Sequence, residues 1–202
     1  MQTLKEEVRN NILKAALKEF GQYGYASSSM RRIAGTAGIT TGNIYRYFKN
    51  KDDLFKALLE PSYEKFISYM LVIKNEIDTT FTKDVKKAFQ YVRLVDETVV
   101  ALLKEDSIEI KILLNLSEGS IYEESRQHLI DLTIQILEII FTISKETDKL
   151  STLDQNIVNM LATSIIEGMC MILRNYDDGE TVKQLVDELI HIYSVGIAEK
   201  LK

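Results

Sequence analysis

The chain has 202 residues, of which 46% are hydrophobic and 27% are charged, so it is long enough for a small domain joined to a larger one. One proline and nine glycines are too few for a turn-rich all-β protein, and the single cysteine, Cys170, excludes a disulfide framework and the usual cysteine-rich zinc sites. We find no cationic, apolar N-terminal leader and no run long enough to span a bilayer, so we expect a cytoplasmic protein with no membrane partner.

The net charge of −5 is distributed unevenly along the chain. The first 51 residues hold nine lysines and arginines against three glutamates, a net charge of +6, which leaves −11 for the remainder. Chance clustering in a short segment is one explanation, and an N-terminal part that binds a polyanion is the other. We favour the second, because a basic end on an acidic body is typical of nucleic-acid binding.

Apolar residues recur at helical spacing over most of the chain, and no segment shows the alternation of a strand. We therefore predict an all-α protein with nine helices. Five glycines, at positions 21, 24, 35, 38 and 42, place the tight turns in the N-terminal part. After a first helix that ends at Gly21 or Gly24, the predicted helices are Ser28–Ala37, Thr41–Phe48, a long helix from Lys51 that bends near Pro61, Thr82–Lys104, Ser107–Leu116, Ile121–Lys145, Ser151–Arg174 and Thr181–Lys200.

Two of these short helices, Ser28–Ala37 and Thr41–Phe48, are joined by Gly38-Ile39-Thr40, which is the pattern of a helix-turn-helix. The second helix of such a pair enters the DNA major groove with its N-terminal residues leading. The residues predicted to meet the bases are small or hydrogen-bonding: Thr40, Thr41, Gly42 and Asn43. Asn43 can pair with an adenine edge, and Gly42 permits close approach of the backbone.

A second group of residues is predicted to contact phosphates or the groove wall without specifying sequence. Tyr45, Arg46 and Tyr47 face outward if Ile44 and Phe48 face the core. Ser28 and Ser29 lie at a helix N-terminus, where hydroxyl and N–H groups suit a phosphate. Lys51 lies where the fourth helix begins. Each has a structural alternative, since Ser28 can cap, Tyr47 can cover apolar surface and Lys51 can be solvated.

The segment "FGQYGYASSSMRRIAGTAGITTGNIYRYFKNKDDLFKALL" resembles the N-terminal domain of the tetracycline-repressor (TetR) family of bacterial transcription regulators. The elements that carry the resemblance are Phe20-Gly21, Gly24-Tyr25, Ile33-Ala34, Ala37-Gly38, Gly42, Tyr45, Tyr47-Phe48, Lys51 and Leu54-Phe55. Two departures are Gly35 inside the second helix and Arg32, where an acidic residue is frequent. The pattern covers about a quarter of the chain, from Val8 to Leu59.

The resemblance implies a TetR-like, two-domain architecture: a DNA-binding domain over residues 1–50 and a larger helical domain for ligand binding and dimerisation over residues 51–202. It also implies a homodimer that binds a palindromic double-stranded DNA operator, and a small hydrophobic or amphipathic ligand that weakens this binding. No cofactor is implied.

Apolar stripes on the last two predicted helices suggest a dimer interface in the form of a four-helix bundle. The alternative is that these stripes only close the core of the subunit. The candidate interface residues are Leu153, Ile157, Leu161, Ile165, Gly168, Leu185, Leu189 and Tyr193.

A ligand pocket is expected among the helices that follow Lys51, with apolar and aromatic walls. The same residue types also form ordinary cores, so each candidate has that alternative. The candidates are Tyr63, Phe66, Met70, Phe89, Tyr122 and Met169. Glu138 belongs to a polar stripe at helical spacing, which indicates a solvated face.

Catalysis has little support in the sequence. His128 and His191 are far apart, neither fits a metal-ligand spacing, and Cys170 lies in an apolar run, so we expect a buried thiol and neither a catalytic nor a metal site. Two functions remain: a ligand-responsive DNA-binding regulator, most simply a repressor, or a DNA-binding adaptor whose helical domain docks a protein partner.

Overall fold

The computed structural model describes residues 2–80, 103 and 105–201. Over these residues the chain is helical without a β-strand, which confirms the all-α prediction. The described helices are α1 (Gln2–Ser27), α2 (Met30–Thr36), α3 (Thr41–Ile44), α4 (Lys51–Thr80), α5 (Ser107–Asn115), α6 (Ser125–Ser144), α7 (Thr152–Asn175) and α8 (Gly179–Lys200). The predicted helix Thr82–Lys104 lies outside the described residues, except for Leu103.

Polar side chains define where three of the helices begin. The Thr40 hydroxyl accepts the Asn43 N–H at 3.2 Å, the Asn50 side-chain oxygen accepts the Asp53 N–H at 2.7 Å, and the Ser151 hydroxyl accepts the Asp154 N–H at 3.1 Å. Each bond satisfies a backbone donor that has no partner within the first helical turn.

Helix α3 is shorter than the predicted Thr41–Phe48. The α-helical geometry ends at Ile44, and the chain then tightens, with the Arg46 N–H bonded to the Asn43 carbonyl and the Tyr47 N–H to the Ile44 carbonyl, at 3.1 and 3.0 Å. These three-residue turns still bury Ile44 and Phe48, as the sequence predicted. Tyr45 and Arg46 are exposed on the outer side of this turn, and Tyr47 is half-buried.

The described chain forms two compact units: Met1–Tyr63 with Ile108–Ser125, and Glu64–Ser107 with Arg126–Lys202. The first unit has an aromatic core in which the ring centroid of Phe55 lies 4.8 Å from Phe20 and 4.7 Å from Tyr25. The backbone N–H of Tyr25 also donates to the carbonyl of Leu116 at 2.8 Å, which joins the end of α1 to the residue after α5. A functional boundary at residues 50 and 51 stays a prediction.

Two glycines give the first unit its sharp turns. Gly24, one of the two glycines at which the first helix was predicted to end, has φ 70° and ψ 170° and kinks α1 before its last turn. Gly38 has φ 71° between α2 and α3. Both angles lie in a region that other residues rarely adopt. At Gly24 a Cβ would lie 3.4 Å from the Leu116 carbonyl oxygen, which is an ordinary contact, so the backbone angle is what favours glycine there.

The second unit is built around α6, α7 and α8. Helices α7 and α8 approach closely at Gly168, where a Cβ would lie 2.9 Å from a methyl of Leu189. The α6–α7 connection is held by the Lys145 ammonium, 2.5 Å from the buried Asp154 carboxylate. The bonds from Lys145 and Ser151 lower the pKa of Asp154 below its ordinary value.

Two described helices, Ser125–Ser144 and Thr152–Asn175, are long and apolar enough by length and composition to cross a membrane. They depart from the expectation that no segment is long enough to cross a bilayer. Apolar residues on both helices are buried inside the protein, including Ile140, Phe141 and Val158. Core helices have this composition too, so it is weak evidence for a membrane span.

Candidate functional sites

The recognition segment, residues 40–47, forms one surface of the first unit. Thr40, Gly42, Tyr45 and Arg46 are exposed, while Thr41, Asn43 and Tyr47 are half-buried. Tyr45 leaves 50% of its surface in solvent although its ring is large and apolar. This arrangement places hydrogen-bonding groups, an aromatic ring and a cation side by side, which are the groups that meet bases and phosphates in DNA complexes.

Gly42 is the one position of the recognition segment that carries no side chain. No heavy atom outside the local backbone lies within 4 Å of where its Cβ would be, so the protein interior does not require glycine there. The backbone conformation does not require it either, because Gly42 lies inside α3 and has no positive φ. A requirement for glycine at this position would therefore come from a bound partner.

Ser28 is placed differently from what the sequence predicted. Its hydroxyl is buried and donates to the carbonyl of Gly24 at 2.5 Å. It therefore secures the turn between α1 and α2. Ser29 is half-buried at the N-cap position of α2, and its side chain makes no capping bond there. Of the two serines, Ser29 is the better placed to meet a phosphate.

The buried carboxylate of Glu19 anchors α2, a role that was not predicted from the sequence. It accepts the Ser29 N–H at 3.0 Å, and Arg32 approaches it with two nitrogens at 2.7 and 2.6 Å. The hydrogen bond to Glu19 raises the pKa of Arg32, which also lies over the ring of Tyr23. A signal was available: Glu19 lies on the same face of α1 as Ile12, where a lone carboxylate needs a partner.

Lys51 also has structural contacts. Its ammonium donates to the Tyr25 carbonyl at 2.7 Å and lies 4.1 Å from the centre of the Tyr25 ring. The Tyr25 hydroxyl donates to the Asp52 carboxylate, and burial, reinforced by this bond, raises the pKa of Tyr25 to about 12. Lys51 thus ties the start of α4 to the end of α1, and phosphate contact by the same ammonium stays a prediction.

An apolar cavity lies within the second unit, between α4, α6, α7 and α8. Its interior measures about 90 Å³, and it is partly open to solvent. The described residues that line it are Phe66, Met70, Ile73, Thr133, Ile136, Leu137, Ile140, Ile165, Ile166, Met169, Ile190, Tyr193, Ser194 and Ile197.

The structure brings three of the six candidate ligand residues to this cavity: Phe66, Met70 and Met169. Tyr63 and Tyr122 belong to the first unit, where their ring centroids lie 5.1 Å apart. They are therefore not in the cavity wall. Phe89 lies outside the described residues.

The candidate interface residues divide into two groups. Ile165 and Tyr193 line the cavity, and Gly168 contacts Leu189 of the same chain. Leu153 is 67% exposed, and Ile157, Leu161 and Leu185 are half-buried. Near them on the same helices, Met160 and Ile192 are 59% and 60% exposed, so α7 and α8 both leave large apolar side chains in solvent.

The thiol of Cys170 is buried, as expected, and burial raises its pKa to about 11. Such a thiol stays protonated at neutral pH and is a poor nucleophile. Within the described part of the chain, no three His, Cys, Asp or Glu side chains come together to hold a metal ion.

The chain has a helix-turn-helix with an exposed recognition segment, and a larger helical part follows it. This is the arrangement of helical DNA-binding regulators. Residues 12–58 match the family described as "Bacterial regulatory proteins, tetR family". The match confirms the resemblance of this N-terminal segment to the DNA-binding domain of the TetR family.

The curated relatives are regulators, and the matches cover only part of them. The chain is 47% identical over 57 residues to the HTH-type transcriptional regulator AcrR of Shigella flexneri, which is 28% of this chain and 26% of AcrR. It is 39% identical over 59 residues to the fatty acid metabolism regulator protein of Bacillus subtilis, 29% of this chain and 30% of that protein. The chain therefore spans less than a third of either relative.

Solved structures are similar over nearly the whole chain. AibR, solved with isovaleryl coenzyme A and operator DNA, has a TM-score of 0.60 at 18% identity and covers 92% of this chain and 97% of its own. FadR of Bacillus subtilis, solved with stearoyl-CoA, has a TM-score of 0.51 at 23% identity with the same coverage of 92% and 97%. At these identities the similarity establishes the TetR-like fold of the chain.

Proposed function

We propose that the protein is a dimeric, cytoplasmic DNA-binding regulator, a repressor that a small ligand releases from a palindromic operator. The observation that carries the proposal is the recognition segment: the Cβ position of Gly42 faces open space, and the large ring of Tyr45, three residues further on, is 50% exposed. The net charge of +6 over the first 51 residues gives this surface its attraction for phosphates.

Release by a ligand requires that the ligand bind more tightly to a DNA-incompetent conformation than to the DNA-bound one. The apolar cavity in the second unit supplies a place for such a ligand. AibR and FadR, which share the fold, were solved with acyl-coenzyme A molecules. The cavity also favours a ligand-responsive regulator over a protein-docking adaptor, which has no need of an interior cavity.

Selection of a randomised DNA pool by the purified chain tests the DNA-binding proposal. We expect a palindrome with half-sites separated by about one helical turn, or a multiple of it. Asn43→Ala and Tyr45→Ala should each weaken binding about tenfold or more through lost base contacts. Tyr176→Ala removes a tyrosine that is 45% exposed in the second unit and serves as the control. No enriched sequence from refolded, ligand-free protein would contradict the proposal.

The dimer is tested by placing a charge on the exposed stripe of α7. Met160→Asp should convert the dimer to a monomer in light scattering, because an unpaired carboxylate in an apolar interface is costly to desolvate. Ile121→Asp is the matched control, since Ile121 and Met160 are both 59% exposed and Ile121 lies in the first unit. Dimers of unchanged affinity from Met160→Asp would place the interface elsewhere.

A further inference from the structure

We infer that the cavity of the second unit binds the uncharged hydrocarbon part of a ligand, with a hydroxyl or similar hydrogen-bond donor at its polar end and no carboxylate. The inference rests on the proposed ligand response and specifies the chemistry of that ligand. Three features of the cavity carry it: the apolar walls, the state of the hydroxyls in them, and the absence of charge among the described lining residues.

The described walls of the cavity are almost entirely aliphatic. Isoleucine is the commonest residue in them, Met70 and Met169 add flexible thioethers, and no described lining residue carries a charged side chain. Burying a carboxylate against such walls without a cation would cost several kcal/mol. A hydrocarbon chain gains affinity from the same walls with every methylene group that it buries.

Two of the three hydroxyl groups in the described walls already use their hydrogen atom in a hydrogen bond within the protein. Thr133 donates to the carbonyl of Leu129 at 2.8 Å, and Ser194 donates to the carbonyl of Ile190 at 2.8 Å. Both carbonyls belong to the preceding turn of the same helix. Each hydroxyl therefore keeps only lone pairs, which accept hydrogen bonds but cannot donate one.

This pattern separates two kinds of amphipathic ligand. An alcohol can donate its proton to Thr133 or Ser194, so its polar end is satisfied inside the cavity. A carboxylate has no hydrogen-bond donor, and its negative charge would be repelled by the lone pairs of these two hydroxyl oxygens. Tyr193 carries the third hydroxyl of the described walls. This single neutral hydrogen-bond donor cannot replace the water molecules that hydrate an anion.

Isothermal titration of the full, delipidated chain with decanol and decanoate at neutral pH tests the inference. We expect decanol to bind at least about a hundredfold more tightly than decanoate, because the described wall residues offer the desolvated anion no cation. Octanol should bind about fifteenfold more weakly than decanol, which corresponds to about fourfold for each buried methylene. Equal affinity for decanol and decanoate, or no binding of decanol, would overturn the inference.

A charge introduced into the wall should reverse the preference. Met70→Lys adds an ammonium on a side chain of similar length, so decanoate should then bind more tightly than decanol. Leu71→Lys is the control, because Leu71 is the next residue of α4, is exposed and does not line the cavity. A preference for the alcohol that survives Met70→Lys and shifts with Leu71→Lys would place the ligand outside this cavity.

A second titration keeps this inference separate from the proposed function. The operator complex is titrated with decanol, decanoate and decanoyl-coenzyme A, and DNA release is followed by fluorescence anisotropy. Release by decanol supports both proposals. Release by decanoyl-coenzyme A alone, with tighter binding than decanol, overturns the inference about the polar end and leaves the ligand-released regulator standing. Retention of DNA with every ligand, although decanol binds, contradicts the release mechanism and leaves the inference standing.

Discussion

Gly42→Leu is expected to abolish specific operator binding while the protein remains folded. The leucine side chain would project from α3 into open space, since no heavy atom outside the local backbone lies within 4 Å of its Cβ position. In the major groove the same side chain would hold the backbone away from the base edges. A loss of two or more base contacts at about 1–3 kcal/mol each lowers affinity by at least about thirtyfold. Fluorescence anisotropy with the selected palindrome measures the loss, and thermal unfolding verifies the fold.

Gly35→Leu is the matched control for this experiment. Gly35 also lies in a helix of the first unit, is exposed, and has no heavy atom within 4 Å of its Cβ position. Replacing glycine in a helix stabilises it by about 0.5–1 kcal/mol, so both variants should unfold at or above the wild-type temperature. Operator affinity should fall only for Gly42→Leu. An equal fall for both variants would mean that the whole domain is perturbed, and no fall for either would remove Gly42 from the interface.

Local chemistry explains which parts of the fold were predictable. The caps at Thr40, Asn50 and Ser151 are bonds between residues three apart, a contact that the spacing of residues in the sequence can indicate. A break in the first helix at Gly21 or Gly24 was predicted, and the structure places it at Gly24, where φ is positive. The end of α3 at Ile44 was not predicted, because the tighter turn that follows keeps Phe48 buried just as a helix would.

Long-range contacts explain which parts of the site were not predictable. Lys51 was assigned to phosphate from its position and charge, but its ammonium contacts the carbonyl and ring of Tyr25, a residue 26 positions earlier. Tyr63 and Tyr122 have the composition of pocket residues, yet they pair with each other in the first unit. Composition identifies residues that are buried, whereas the partner that each one meets depends on the tertiary arrangement.

Glu19→Leu is expected to loosen α2 and thereby weaken DNA binding without touching the recognition segment. The Glu19 side chain is 6% exposed and holds both the N–H of Ser29 and the guanidinium of Arg32. Its removal leaves the half-buried N–H of Ser29 without an acceptor, whereas Arg32 is 49% exposed and keeps its bond to the Ser27 carbonyl. A buried donor left without an acceptor lowers the free energy of unfolding by about 1–3 kcal/mol. Glu19→Gln keeps an acceptor for Ser29 and should cost less.

Hydrogen exchange of the Met30–Thr36 amides is the appropriate measurement, because it reports the opening of α2 even when the rest of the chain stays folded. Glu105→Leu is the control: it removes an ion pair of 3.1 Å with Lys65, but the Glu105 side chain is 69% exposed, and exposed pairs contribute little. Exchange in α2 should accelerate in Glu19→Leu and stay unchanged in Glu105→Leu. If it were unchanged in both, the buried carboxylate would not be what holds α2 in place, and the apolar contacts of Met30, Ile33 and Ala34 would have to be sufficient.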